Sequence, residues 1–208
     1  MPSTVVHVAF AGLIGTALLA RHFDAKSIFV VMAVSAAIDL DTIIDIWIPG
    51  AHRAYFHNLV FPTLVLIALW GDVRWREASY VKRKWGNWGV RVTWVSMVAL
   101  IFGHVLLDAF FNGVNLFWPL HDRFYDLSGE LLISDQRGFV QTFIDGETAE
   151  GTVEETHYTT GVNPTPGETP DDVERRFPIA GTGERFVLTI TGFAVVAMRL
   201  YEERRREE

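Results

Sequence analysis

VTWVSMVALIFGHVLLDAFF, residues 92–111, is the stretch on which the fold prediction for this chain rests. The stretch is almost wholly apolar and about 20 residues long, the length that an α-helix needs to cross the hydrocarbon core of a bilayer. His104 and Asp108 interrupt its C-terminal half. On a helix the two side chains lie one turn apart on one face, so an imidazole and a carboxylate can converge on one point. Because ionisable groups are costly in lipid, we expect the pair to face a partner, a cavity or an ion.

The composition places the chain among membrane proteins. Half of its 208 residues are hydrophobic,. The formal net charge of -7 argues against nucleic acid as the partner, because binding to a phosphate backbone depends on clustered Lys and Arg,. The chain has no cysteine, so disulfides and thiolate metal sites are excluded,. Any tight metal site must therefore use histidine and carboxylate ligands.

Further apolar segments predict a mainly α fold, a polytopic membrane helical bundle of four to five helices. In chain order they are Val5–Ala20, Ser27–Ile38, Leu59–Trp70 and Arg185–Leu200. After residue 111 the chain turns polar, and the alternating runs Glu130–Ser134 and Gly138–Ile144 predict a small β-hairpin,. A mobile acidic loop is expected at Thr148–Asp172.

Three regions follow from this pattern. Residues 1–125 are predicted to form a membrane helical core that carries a metal site. Residues 126–184 are predicted to form an extramembrane β-hairpin and acidic loop, and residues 185–208 a last apolar helix with a charged cytoplasmic tail.

Loop charges predict which side of the membrane each segment faces. Gly71–Arg91 is the most basic short stretch, and the tail contains Arg204, Arg205 and Arg206, so both are expected in the cytoplasm,. Asp39–Asn58 then lies outside. This orientation gathers seven ionisable residues at the outer face of a multi-pass protein in the cell membrane: His7, Asp39, Asp41, His52, His57, His104 and Asp108.

Imidazoles and carboxylates without thiolates are the ligands expected for a catalytic divalent metal. Zn²⁺ is the first expectation, and Mn²⁺ or Fe²⁺ are alternatives. Asp39 and Asp41 cannot point the same way on a regular helix. One can bind the metal while the other orients a histidine or acts as a base.

The order of the motifs resembles a known family, the membrane-bound metal-dependent hydrolases, also described as LexA-binding, inner-membrane-associated hydrolases. The resemblance covers about the first 125 residues, with a more distant similarity to zinc-dependent phospholipase C and the P1-type nucleases. The matching positions are His7, Asp39-Leu40-Asp41, His52 to Asn58, His104 with Asp108, Gly113, and Trp118-Pro119. Ile38, Phe56 and Asn58 depart from the family pattern.

Together, the pattern and the resemblance imply an integral membrane phosphoesterase that cleaves a membrane lipid or lipid-linked phosphate. The metal ligands would be His7, Asp39, Asp41, His57, His104 and Asp108, and the catalytic residues Asp39, His52 and Arg53. His52 and Arg53 would bind the phosphate. His22, His121 and His157 are expected at the surface.

Other interpretations stay open at this point. His104 and Asp108 could form a hydrogen bond that only joins helices, and Asp39 and Asp41 could cap a helix. In place of a hydrolase, the chain could be a transporter or ion-conducting protein with an intramembrane His/Asp relay, or a non-catalytic membrane scaffold with a degenerate metal site.

Overall fold

The computed structural model describes residues 3–111, 113–143, 151–164 and 174–207, and it is mainly helical. The helices are α1 Thr4–Leu19, α2 Ala25–Ala37, α3 Asp41–Ile44, α4 Val60–Trp75, α5 Tyr80–Leu100, α6 Leu106–Ala109 and α7 Gly183–Glu207. The strands β1 Leu131–Ser134 and β2 Gly138–Gln141 form an antiparallel hairpin in which Leu132 pairs with Val140. The predicted helical fold with a small hairpin is confirmed. Parts of the predicted acidic loop, residues 148–150 and 165–172, lie outside the described residues.

Three helical stretches in the described part of the chain are long and apolar enough to cross a membrane: Thr4–His22, Ala25–Ile44 and Tyr80–Ala109. The third contains most of the apolar stretch at residues 92–111. The predicted segment Leu59–Trp70 also forms a helix, but α4 has 16 residues, fewer than the roughly 17–25 that a spanning helix needs.

The basic stretch Gly71–Arg91 is largely helical, which corrects its interpretation as a loop. α4 continues to Trp75, and α5 begins at Tyr80 and is kinked at Gly86, whose φ of 66° is not helical. The Asp72 carboxylate accepts hydrogen bonds from Ser79 Oγ and from the backbone N–H of Tyr80 and Val81, so it caps the first turn of α5. The Ser79 hydrogen bond is the main reason that the pKa of Asp72 is lowered. Capping of the free N–H groups allows the helix to extend into this charged sequence.

Contacts divide the chain into two compact units. The helical unit comprises Pro2–Ala37, Phe61–His104 and Ile179–Glu208. The site unit comprises Ile38–Val60 and Val105–Pro178.

Small residues let the helices of the helical unit approach closely. A Cβ at Gly192 of α7 would lie 2.5 Å from the backbone oxygen of Ala9 in α1. A Cβ at Gly15 of α1 would lie 2.6 Å from Ile28 Cδ1 in α2. Glycine at such positions permits the backbone contact that holds apolar helices together without a hydrophobic driving force.

The site unit has its own small apolar core, formed by Ala54, Phe124 and Val153. Tyr55 stacks on Trp118 with ring centroids 4.3 Å apart. Backbone hydrogen bonds join residues 53–59 to the chain that follows α6, from Asn115 N to Arg53 O (2.9 Å) and from Leu59 N to Leu116 O (2.8 Å). These contacts fix the segment that carries His52, Arg53 and His57.

Candidate metal centre

Asp41 is the central carboxylate of the site unit. It lies at the start of α3, directly after the 3₁₀ turn Ile38–Leu40, and it is fully buried. Its Oδ1 lies 2.8 Å from His52 Nδ1, and its Oδ2 lies 2.7 Å from His57 Nδ1. Because an ionised carboxylate can only accept, each Nδ1 carries the proton. One carboxylate therefore fixes the orientation of two imidazoles and directs both Nε2 atoms elsewhere.

Two more carboxylates converge on the Nε2 atom of His57. Asp39 Oδ1 lies 3.3 Å from this nitrogen, and Asp108 Oδ2 lies 3.5 Å from it. Burial disfavours a charged His57, but the attraction of Asp41 and the hydrogen bonds to Asp39 and Asp41 outweigh burial and raise the pKa of His57 to about 10. The imidazolium neutralises part of the negative charge that surrounds it.

Arg53 contacts the carboxylate oxygen of Asp108 that does not face His57. Its Nη2 lies 3.4 Å from Asp108 Oδ1, and its Nη1 donates a hydrogen bond of 2.9 Å to the Gly113 carbonyl. The guanidinium is fully buried and lies 4.6 Å from the centre of the Tyr158 ring. Burial raises the pKa of Tyr158, so its hydroxyl stays neutral. This geometry gives Arg53 a role in positioning Asp108; its predicted contact with a phosphate stays a prediction.

His52 completes the cluster with a nitrogen that has no hydrogen-bond partner among the described residues. The imidazole is buried, and Nε2 is the orphaned atom. Ligand atoms of Asp41, His52 and His57 lie within 4.8 Å of one another, which is close enough for a shared metal ion. However, both histidines use Nδ1 to contact Asp41, which leaves their Nε2 atoms for a ligand. This geometry favours Asp41 as the residue that orients the histidines, in place of a shared metal ligand.

Asp45 supports the cluster, and the sequence interpretation missed it. The buried carboxylate accepts hydrogen bonds from the backbone N–H of Gly50 (2.9 Å) and His52 (3.2 Å). Asn163 Nδ2 donates to it at 2.8 Å, and His157 Nδ1 lies 3.5 Å away. The signal in the sequence is its spacing of four residues from Asp41, one helical turn. His157 was expected at the surface, but its side chain is 20% exposed because it packs toward Asp45.

The helical unit brings His7 and His104 together. Their rings stack with centroids 3.8 Å apart, and both are buried. His7 Nδ1 lies 3.0 Å from the Gly103 carbonyl, which can only accept, so this nitrogen carries the proton,. Ser35 Oγ lies 3.4 Å from His104 Nδ1.

A π-helical turn carries His104. The sequence predicts a regular helix over residues 92–111, but Ile101–Val105 form a π-helix between α5 and α6. A Cβ at Gly103 would lie 3.4 Å from the backbone nitrogen of Ala11, so this turn packs closely against α1. π-turns are rare and occur frequently at functional sites.

The structure therefore places the predicted site residues in two groups. The site unit joins Asp39, Asp41, His52, Arg53, His57 and Asp108, and the helical unit joins His7 and His104.

Comparison with protein families identifies the chain. The model of the YdjM inner membrane protein family matches residues 1–158. The chain belongs to the YdjM inner membrane protein family. No curated protein and no solved structure matches it. The YdjM match covers every predicted site residue and ends at Tyr158, whose ring lies against Arg53.

Membership of the YdjM family and the three candidate spans place this protein in a membrane. The membrane part of the family resemblance is thereby confirmed. The YdjM description gives a location and names no reaction, so the hydrolase activity, the similarity to zinc-dependent phospholipase C and the outer-face location stay predictions.

Proposed function

We propose that this protein is an integral membrane metal-dependent hydrolase that cleaves a phosphoester of a lipid or lipid-linked phosphate. The observation that carries the proposal is the convergence of the Asp39 and Asp108 carboxylates on the Nε2 atom of His57, whose other nitrogen is fixed by Asp41. A histidine held through Nδ1 by a carboxylate and bordered at Nε2 by further carboxylates is typical of a metal site.

The donor set fits a divalent cation. It offers imidazole nitrogens and carboxylate oxygens, the ligands that suit Zn²⁺, Mn²⁺ and Fe²⁺. The orphaned Nε2 of His52 indicates that the cluster binds a ligand or water, since a buried nitrogen without a partner is costly,. His57, Asp39 and Asp108 would hold the ion. When bound, it would supply a water of lowered pKa and polarise a phosphoryl oxygen.

The chain's own residues would divide the remaining work. Asp41 orients His52 and His57, and Arg53 orients Asp108. The Asp39 side chain is 18% exposed, whereas Asp41 and Asp108 are at most 1% exposed. Asp39 therefore has the solvent access that a general base needs to accept a proton from an attacking water. The Nε2 atom of His52, which has no hydrogen-bond partner among the described residues, is available to contact a bound phosphate.

A hydrolysis screen with added metal tests the activity. Purified protein in detergent would be incubated with Zn²⁺ or Mn²⁺ and with a phosphodiester, a phosphomonoester or a native lipid extract. We expect release of a phosphorylated product from the lipid extract, and at least a 100-fold lower rate for Asp39→Asn, because loss of a general base typically costs about 10²–10⁴ in rate. The exposed Asp135→Asn is the control for the change in charge. No hydrolysis by the intact protein with any metal would contradict the proposal.

A transporter is the second candidate, and the stacked, buried His7 and His104 favour it. Both residues lie in candidate spans, where paired histidines can relay protons or ions,. Flux of protons or Zn²⁺ into proteoliposomes that disappears in His104→Ala would support transport. Flux equal in His104→Ala and intact protein would exclude the relay.

A further inference from the structure

The helical unit contains a cavity of about 750 Å³ that shares no residue with the candidate metal centre. It lies between the turn Ala20–His22, α4 and α5. This volume is within the roughly 300–1,000 Å³ of typical small-molecule sites.

One part of the cavity wall is cationic. Arg21, Lys82 and Arg91 line it together with His22, and no carboxylate is among the described lining residues. The Arg91 guanidinium lies 5.2 Å from the centre of the Trp94 ring, which restricts its position. Arginine binds phosphate with paired N–H donors, and lysine adds a mobile charge. These residues can hold an anionic phosphate group.

The rest of the wall is apolar. Leu66 and Leu69 from α4 and Val90 from α5 line it. Trp70 and Trp94 also line the cavity and combine an apolar ring with a polar N–H, which suits the boundary between acyl chains and headgroups,. A free phosphate cannot make favourable contacts with this apolar part of the wall. An amphiphile with a phosphate and a hydrocarbon chain can contact both the cationic and the apolar part.

We propose that this cavity binds an anionic phospholipid. Arg21, Lys82 and Arg91 hold the headgroup phosphate, and an acyl chain runs along Leu66, Leu69 and Val90. The basic sequence of residues 71–91 predicts that this end faces the cytoplasm,. Basic pockets between membrane helices on the cytoplasmic side bind anionic headgroups. The lipid is a bound partner of the helices, separate from the substrate of the metal centre.

Lipid binding to the delipidated, full-length protein in neutral detergent tests this proposal. Native mass spectrometry would compare phosphatidylglycerol, neutral phosphatidylcholine and inorganic phosphate. We expect tight binding of phosphatidylglycerol alone. The double variant Arg21→Gln/Arg91→Gln should bind it at least tenfold more weakly. The control Arg74→Gln/Arg83→Gln loses the same charge from exposed positions that do not line the cavity, and it should bind like the intact protein.

Any of the following results would contradict the proposal that the cavity binds an anionic phospholipid. Equal weakening in the control would show that binding depends only on overall charge. If phosphatidylcholine bound as tightly as phosphatidylglycerol, the cationic residues would have no role in recognition. If inorganic phosphate displaced phosphatidylglycerol at equal concentration, the ligand would be a free anion. Lys82→Gln provides a further variant at an exposed position that is expected to fold normally. Unchanged affinity in Lys82→Gln and in the Arg21→Gln/Arg91→Gln variant would also contradict the proposal.

Discussion

Replacement of Asp41 by asparagine is expected to lower the affinity of the protein for a divalent metal by about 10- to 100-fold relative to the intact protein. Removal of the partners that orient metal ligands typically has an effect of this size. The carboxylate accepts from two Nδ1 atoms, at 2.8 Å from His52 and 2.7 Å from His57. Asparagine offers one oxygen, and its amide group would present a donor to the second Nδ1–H. One histidine must then change its tautomer or turn away. Calorimetric titration of the metal-free protein with Zn²⁺ measures the change.

A second measurement separates this positioning role from a merely structural one. In the metal-free protein the attraction of Asp41 is the largest of the contributions that raise the pKa of His57 to about 10, so Asp41→Asn should move that pKa downward. Nuclear magnetic resonance of labelled histidine reports this titration. Asp135→Asn removes an exposed carboxylate from the hairpin turn and should change neither quantity. Unchanged Zn²⁺ affinity in Asp41→Asn would contradict the positioning role.

Substitution of Arg53 by methionine is expected to destabilise the protein by about 3–5 kcal/mol, the usual cost of removing one partner of a buried ion pair. Arg53 contacts Asp108 at 3.4 Å and the Gly113 carbonyl at 2.9 Å, and all of its side chain is buried. Denaturation in mixed detergent micelles, followed by tryptophan fluorescence, measures the free energy of unfolding.

The double variant Arg53→Met/Asp108→Asn tests the cause of that loss. If the loss of charge compensation at Asp108 is responsible, neutralising that carboxylate should restore much of the stability, whereas metal binding should be lost because Asp108 is a proposed ligand. The exposed Arg137→Met in the same unit should leave the free energy of unfolding unchanged,. If the single variant Arg53→Met were as stable as the intact protein, the proposed anchoring of Asp108 would be incorrect.

The sequence predicts the helices well because length and apolarity alone determine whether a segment can cross lipid. It also singles out residues that the structure brings into contact, since Asp41, His57 and Asp108 each stand beside or inside an apolar segment, where a polar side chain is otherwise unexpected. Their contacts with one another were not predictable in detail. The bridge from Asp41 to two histidines depends on the 3₁₀ turn at Ile38–Leu40, which ends α2 before the carboxylate.

Other features depend on tertiary packing that the local sequence does not encode. The π-turn at Ile101–Val105 is accompanied by close packing of Gly103 on α1. Asn163 donates a hydrogen bond to Asp45, although 118 positions of sequence separate the two residues. Within the stretch 71–91, the cap of α5 joins Asp72 to Ser79, which is seven positions away.

The metal content of the purified protein tests whether the cluster around His57 holds a metal ion. Elemental analysis would compare the intact protein with His57→Ala and with His121→Ala, whose imidazole is exposed and outside the cluster. Circular dichroism would confirm equal helix content in the three samples. We expect a stoichiometric divalent metal, with Zn²⁺ the first expectation, in the intact protein and in His121→Ala, and loss of that metal in His57→Ala. Equal metal content in all three proteins would contradict it.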